Sequence, residues 1–362
     1  MADPEALMRK EILGTSRLLM AVIALWGSPT RAAEPAPAGE IAVPCKSARL
    51  DRKVLEEAAR WIEAGETHIE SFVVRHCGEV VFERYYNGFK AEARHDMQSA
   101  TKTFTAALIG IALKEGLIDS LDQPVAELLP DYRQLLQGAK AQITLRHLLT
   151  MTSGLKWTDF GPERSFEFMA AAKDSVAYVL GEPLVSQPGQ TFFYNTGSSH
   201  LLSAIITARS GKPAAEYARE KLFGPLGIAD YVWRAHADGQ SEGGWQLYLR
   251  PKDAAKFGQL LLDEGEWQGR QLIAREYVDE ATRGHNPTDY GSEYGFQMWI
   301  EKNFGIADVA AARGWAGQDI FVLDEMDMVV VFNGDIAYPA EMARDVRHIM
   351  TTFIARSVQP AE

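Results

Sequence analysis

Two serine motifs in this chain have the spacing that acyl transfer needs. The first is a GxSxG match, Gly239-Gln240-Ser241-Glu242-Gly243. As a nucleophile elbow it would need a strand before it and a helix after it. Gly244 and the strand-like run Trp245 to Leu249 follow instead, so Ser241 reads as a loop serine. The second motif is SxxK, which occurs at Ser99-Ala100-Thr101-Lys102 and at Ser153-Gly154-Leu155-Lys156. It works only on a helix, where the lysine lies one turn beyond the serine on the same face and can tune its deprotonation. Ser153 precedes a glycine at the end of the helical run Leu145 to Thr150. Ser99 instead opens the longest apolar helical stretch, Met97 to Gly116. There its hydroxyl meets the positive end of the helix dipole, which favours a developing alkoxide. Lys102 is a cation on an otherwise apolar helix, a costly placement unless it is used. The plainer alternative is an N-cap serine with a snorkelling surface lysine.

The elements around these residues describe a globular enzyme-sized chain. It has 362 residues, is 46% hydrophobic and 24% charged, and so can bury a substantial core. Its net charge of −12 repels phosphate backbones and argues against a nucleic-acid partner. Two cysteines, no HExxH run and no GxxxxGK[ST] loop argue against the metalloprotease and P-loop classes. Residues 1–33 read as a signal peptide. Arg9, Lys10 and Arg17 precede the apolar run Leu18 to Trp26, which is too short to span a bilayer, and small residues near Ala32 suit cleavage. Residues 34–49 would form a mature tail. The expected compartment is then the periplasm or the exterior, with no stable membrane insertion after cleavage. In an oxidising compartment Cys45 and Cys77 could pair.

The periodicity predicts a helix over Asp51 to Ala64 and a hairpin of Ile69 to Val74 with Val80 to Tyr85. The nucleophile-bearing helix follows, then a long helical section from Ile118 to about Gly224. Strands then run at Tyr231 to Ala235, Trp245 to Leu249, Phe296 to Ile300, Ile320 to Leu323 and Met328 to Phe332, with helices at Asp253 to Leu262 and Pro339 to Ala355. Adjacent short strands favour an antiparallel sheet over repeated βαβ units. The helical section reads as an insertion, dividing the chain into an α/β lobe (50–104 and 225–362) and a helical lobe (105–224) that form one catalytic unit with the site between them.

Several segments resemble one family in order. SATKTFTAALIGIALKEGLIDSLDQPV (Ser99 to Val125) and ITLRHLLTMTSGLKW (Ile143 to Trp157) are similar to the nucleophile helix and middle segment of class C β-lactamase-related serine hydrolases. PGQTFFYNTGSSHLLSAII, LFGPLGI, GGWQLYLRPKDAAKFGQLLLDEGEWQG and RGWAGQDIFVLDEMDMVVV continue the likeness. It covers roughly residues 69 to 335 and is nearest the 6-aminohexanoate-dimer-hydrolase and esterase-like branch of this penicillin-binding-protein-like superfamily.

The resemblance implies a β-lactamase/transpeptidase-like α/β (α+β) fold, an antiparallel sheet flanked by N- and C-terminal helices, with Ser99 as nucleophile. It implies Tyr194, in Tyr194-Asn195-Thr196, as general base. A phenol with an ordinary pKa near ~10 can serve so only if a cation such as Lys102 lowers it. Where the family has KTG, this chain has Trp315-Ala316-Gly317. The backbone N–H of Gln318 and of Ser99 would form the oxyanion hole, Gly317 would let a ligand approach closely, and Trp315, Asn195 and Trp157 would contact substrate. A tryptophan cannot grip a carboxylate as a lysine does, which favours a neutral or apolar acyl group over β-lactams. The expected activity is hydrolysis of a small-molecule ester or amide through an acyl-enzyme, with no metal or organic cofactor implied. The rivals are a true β-lactamase or D,D-peptidase, and a non-catalytic binding protein on the same fold.

Overall fold

The computed structural model describes Cys45, residues 50–159 and residues 164–358. The expected signal peptide and, apart from Cys45, the expected tail lie outside the described residues.

Helix α1 (Arg52–Ala64) starts at Asp51, whose carboxylate accepts from the Lys53 N–H at 3.0 Å. Its buried face, Val54, Leu55, Ala58, Ala59 and Ile62, follows the i, i+3, i+4 spacing of an amphipathic helix. Strands β1 (Ile69–His76) and β2 (Glu79–Tyr85) form the expected hairpin. Helix α2 (Thr101–Lys114) carries the second half of the SxxK motif. Helix α3 (Thr196–Ser210) and α4 (Pro251–Leu262) follow. The sheet is completed by β3 (Asn286–Pro287), β4 (Glu293–Tyr294), β5 (Trp299–Glu301), β6 (Val309–Gly314), β7 (Gln318–Leu323) and β8 (Met328–Gly334), and α5 (Pro339–Thr352) follows them. The order across this eight-stranded sheet is β2-β1-β8-β7-β6-β5-β4-β3, and every neighbouring pair is antiparallel.

Both faces of the central strands are apolar, because both are covered. Phe321 and Leu323 of β7, with Met328, Val330 and Phe332 of β8, pack in one cluster with α1 and α5. The alternate residues Ile320, Val322, Val329 and Val331 pack in the other, with α2, α3 and α4. That second cluster runs without a break into the helical section between residues 105 and 224. The expected lobe boundary at 104/105 falls inside α2, which packs on both α3 and β6. The described residues belong to a single compact unit.

Three strands of this sheet escaped the sequence reading: the two-residue β3 and β4, too short to show a period of two, and β6. β6 has the sequence VAAARG, and alanine carries little strand preference; its burial between β5 and β7 overrides that. Cys45 and Cys77 form a disulfide. No helix among the described residues is long and apolar enough to cross a membrane.

Candidate active site

Ser99 sits in a single 3-10 turn, Gln98–Ala100, which runs directly into α2. The residue before it, Gln98, has φ +47, a left-handed conformation uncommon outside glycine. Asp96 holds it there: one carboxylate oxygen accepts from the Gln98 N–H and the other from its Nε2, each at 2.9 Å. Asp96 is itself placed by the short strand His95–Asp96, which pairs with Leu247–Leu249. Stored backbone strain of this kind is found where a side chain must be aimed.

The i, i+3 relation along the turn and α2 brings Lys102 back to the serine. Its Nζ donates to Ser99 Oγ at 2.9 Å and to the Gly244 carbonyl at 2.9 Å. Lys102 is only 1% exposed. Its ammonium also lies 5.1 Å from the ring centroid of Tyr194. Two glycines let the chain pass close enough to supply that carbonyl. A Cβ on Gly243 would stand 2.2 Å from the Ser199 carbonyl oxygen. One on Gly244 would stand 2.7 Å from Thr196 Cγ2 and 3.2 Å from Lys102 Nζ.

Tyr194 precedes α3 and its phenol interacts with the Ser99 hydroxyl. The electrostatics differ from expectation. Burial, together with the charge of Asp159, pushes the Tyr194 phenol well above its ordinary value, rather than Lys102 drawing it down. Burial pulls the Lys102 ammonium down to about 8, partly offset by Asp159 and Glu242. Between the two, the lysine is the group able to take a proton near neutral pH.

These three residues line one cleft of about 930 Å³. Its walls are aromatic: Trp245, Trp299, Trp315, Tyr290 and Phe166. The Phe166 and Trp245 rings meet edge-on at 4.8 Å, and Tyr290 meets Trp299 edge-on at 5.7 Å. The charged residues on the lining have partners. Arg313 donates to Glu301 at 2.6 Å and to Asp319 at 3.2 Å, Arg164 pairs with Glu167, and Arg347 donates to the Asn303 carbonyl at 3.3 Å.

Four expected substrate or oxyanion contacts lie elsewhere. Asn195 is 1% exposed and caps α3: its Oδ1 accepts from the Ser198 N–H at 2.9 Å and its Nδ2 donates to the Leu155 carbonyl. Trp157 is 2% exposed and packs against Gly197; its Nε1 donates to Asp159 Oδ1 at 2.9 Å, so it positions a cleft residue without lining the cleft. Gly317 belongs to the turn between β6 and β7 and faces Met342 of α5. Gln318 stands opposite Gly314 at the start of β7, with its buried amide donating to the Gly334 carbonyl at 2.6 Å. Ala316 and Gly317 both take positive φ, and this turn carries Gly317 and Gln318 away from the cleft.

Gly314 takes the place expected for Gly317. A Cβ there would lie 2.3 Å from the Met97 carbonyl oxygen and 3.0 Å from Gln98 Cβ, against the turn that bears Ser99. The Gly314 N–H is directed at the Asp319 carboxylate, towards β7. Trp315 is the first residue beyond β6, whose other edge faces β5. On that side the ladder with β5 stops at Ala311, and the Ser99 turn packs there. Trp315 itself is half exposed, and its Nε1 donates to the Ile336 carbonyl at 3.1 Å. The loop reading of Ser241 agrees with its surroundings: it is buried, and its Oγ accepts from the Ala215 N–H at 3.1 Å. Asp159 was missed. Its carboxylate accepts from Trp157 and, at 3.2 Å, from the Thr196 N–H at the head of α3. A lone aspartate in a loop carries no sequence signal.

A covered antiparallel sheet, with a serine–lysine–tyrosine cluster at the head of a buried helix, defines the β-lactamase/transpeptidase type of scaffold. The chain belongs to the Beta-lactamase family, whose model matches residues 60–351. It is 25% identical over 300 residues to a 6-aminohexanoate-dimer hydrolase of Paenarthrobacter ureafaciens, covering 74% of this chain and 72% of that one. It is 31% identical over 157 residues to the monacolin J acid methylbutanoyltransferase of Aspergillus terreus. That match takes in 38% of this chain and only 37% of the relative's length. Among solved structures, the octameric penicillin-binding protein homologue from Pyrococcus abyssi superposes with a TM-score of 0.67 at 20% identity, covering 85% of this chain and 79% of that one. At that identity the likeness speaks for the fold alone.

Proposed function

We propose that this chain is a serine hydrolase that cleaves a small ester or amide through an acyl-enzyme on Ser99. One observation carries the reading: a buried lysine donates, at 2.9 Å, to the hydroxyl of a half-buried serine on the cleft wall. Neutral Lys102 takes the Ser99 proton as Oγ attacks the carbonyl carbon. The Ser99 and Trp315 N–H groups receive the oxyanion, in place of the Ser99 and Gln318 pair expected from sequence. Tyr194, held protonated, hands a proton to the leaving group as the tetrahedral intermediate collapses, and is reprotonated from Lys102. Water then attacks acyl-Ser99 by the same route in reverse. The aromatic lining suits a neutral or apolar acyl group, and the named relatives include both a hydrolase and an acyltransferase, so an alcohol could replace water as acceptor.

We read residues 1–33 as a signal peptide, and the Cys45–Cys77 disulfide supports an oxidising compartment. Cleavage is checked by the intact mass of protein exported by a bacterial host.

The test of the activity is intact-mass spectrometry after exposure to a fluorophosphonate, with Ser99→Ala alongside. A single adduct on the wild type, absent in the variant, is expected. No adduct on the folded wild type would turn the reading towards a binding protein. Turnover of nitrocefin, or a stable penicillin adduct, would turn it towards β-lactam or peptidoglycan chemistry.

A further inference from the structure

A second cluster of ionisable side chains lies in the interior, apart from the groups that touch substrate. His200 comes from α3, His236 from the loop after Val232–Trp233, and Glu242 from the segment that leads to Gly244. All three are buried, at 0%, 9% and 4% exposure. One imidazole nitrogen of each histidine and one oxygen of the glutamate all lie within 4.8 Å of one another. Ligand atoms around a single zinc ion stand roughly 3.3 Å apart, given metal–ligand bonds near 2.0–2.1 Å.

The hydrogen bonding shows which lone pairs face inward. Ser175 Oγ donates to Asp238 Oδ2 at 2.6 Å, so towards His200 Nε2, 2.7 Å away, it is the acceptor. His200 therefore carries its proton on Nε2 and presents the lone pair of Nδ1. That atom is buried and has no hydrogen-bond partner among the described residues. His236 Nε2 is 2.9 Å from Glu242 Oε2, yet it too makes no hydrogen bond. The separation is short enough, so it is the alignment that fails: the nitrogen and the carboxylate converge without one pointing at the other. The two rings stand edge to face, 4.5 Å apart. Buried imidazole nitrogens left without partners are rare and call for an explanation. A histidine fixed by a hydroxyl–carboxylate relay through its other nitrogen is the arrangement that orients metal ligands.

We propose that His200 Nδ1, His236 Nε2 and the Glu242 carboxylate bind one divalent ion of zinc type, the N2O donor set leaving a fourth position for water. Glu242 also accepts from Trp245 Nε1, and Trp245 is a wall of the cleft. The bound ion would thus tie down the segment whose Gly244 carbonyl holds Lys102. Its role is structural support, and no reaction step passes through it.

The test uses tag-free full chain, stripped with a chelator, checked for a cooperative melt, and titrated with Co2+. The expected result is one equivalent bound with the intense visible d–d bands of four-coordinate cobalt, displaced by Zn2+, with a rise in Tm. Glu242→Gln keeps an acceptor for Trp245 but is a poor ligand, and His236→Gln removes a nitrogen. Either is expected to weaken binding at least tenfold, while the metal-free Tm stays near that of the stripped wild type. If a variant does not fold, the wild-type spectrum decides. Folded wild type that takes up no stoichiometric Co2+ or Zn2+, or binding that is unchanged in folded variants, overturns the proposal.

Discussion

Lys102 Nζ donates to Ser99 Oγ across 2.9 Å from a site with 1% exposure, so the protonation state of one residue governs the nucleophilicity of the other. With the lysine at about 8, the neutral form that can accept the serine proton is the minor one at pH 6 and becomes the major one above pH 8. kcat/KM for a p-nitrophenyl ester should therefore climb about tenfold per pH unit below that point and level off above it. A profile that falls through pH 8 would mean that the cation is the working form.

The same burial has a consequence for stability. The folded pKa of Lys102 lies below that of an unfolded lysine, so between about pH 8 and 10.5 the unfolded chain holds the extra proton. Stability contributed at this site therefore rises with pH across that window, by roughly 3 kcal/mol in all, and is lowest beneath it. Denaturant titrations of wild type and Lys102→Met at pH 7 and pH 10 should show the difference between them moving in the wild type's favour as pH rises. Lys102→Met should also be inactive at both values.

Gly314→Ala places a methyl 2.3 Å from the Met97 carbonyl oxygen. The Ser99 turn or the tip of β6 must move. A loss of about 1–3 kcal/mol of stability is expected, with a larger loss of acylation rate. Fluorophosphonate labelling kinetics beside a thermal melt would separate the two. Wild-type labelling in this variant would remove the end of β6 from the proposed oxyanion hole.

Trp315→Ala keeps the backbone N–H and removes a cleft wall. KM for an aromatic ester should rise while kcat stays within a few-fold. Should turnover instead drop by roughly a hundredfold or more, the scale of losing an oxyanion donor, the indole itself would be shown to support the amide.

The disulfide joins cysteines 32 positions apart, and opening such a loop costs about 3–4 kcal/mol in the chain-entropy account. Cys77 follows β1 at the end where His76 pairs with Met328. The cleft lies towards the other end, where Ile69 pairs with Gly334. Eight residues of strand separate the two by about 25 Å. Reduction should lower Tm by several degrees and leave the initial rate at 25 °C unchanged.

The sequence made most of this architecture readable, because the chemistry and the hydrophobic pattern pointed the same way. Ser99 and Lys102 could be paired from helical spacing, and β7 and β8 were plain as apolar β-branched runs. What stayed hidden depends on geometry that spacing does not encode. The run after Arg313 looked like one motif, but positive φ at Ala316 and Gly317 turns the chain, so Gly314 rather than Gly317 meets the nucleophile turn. The family resemblance makes Asn195 a substrate contact. The pattern Asn-Thr-Gly-Ser before an apolar run was already that of a helix N-cap, and a cap is what it is. The direction of the Tyr194 shift follows from desolvation and Asp159, neither of which is visible in a tripeptide.

Gly243, Gly244 and Gly314 have a joint effect on how this protein can change. The missing side chains let backbone pass against the Ser99 turn at Gly314, against Lys102 at Gly244 and against α3 at Gly243. A larger residue at any of the three must push one of these neighbours aside. Phe166, Tyr290 and Trp299 line the same cleft with side chains alone. New substrate preferences are therefore expected from changes on that rim rather than in the glycine-built mould beneath it.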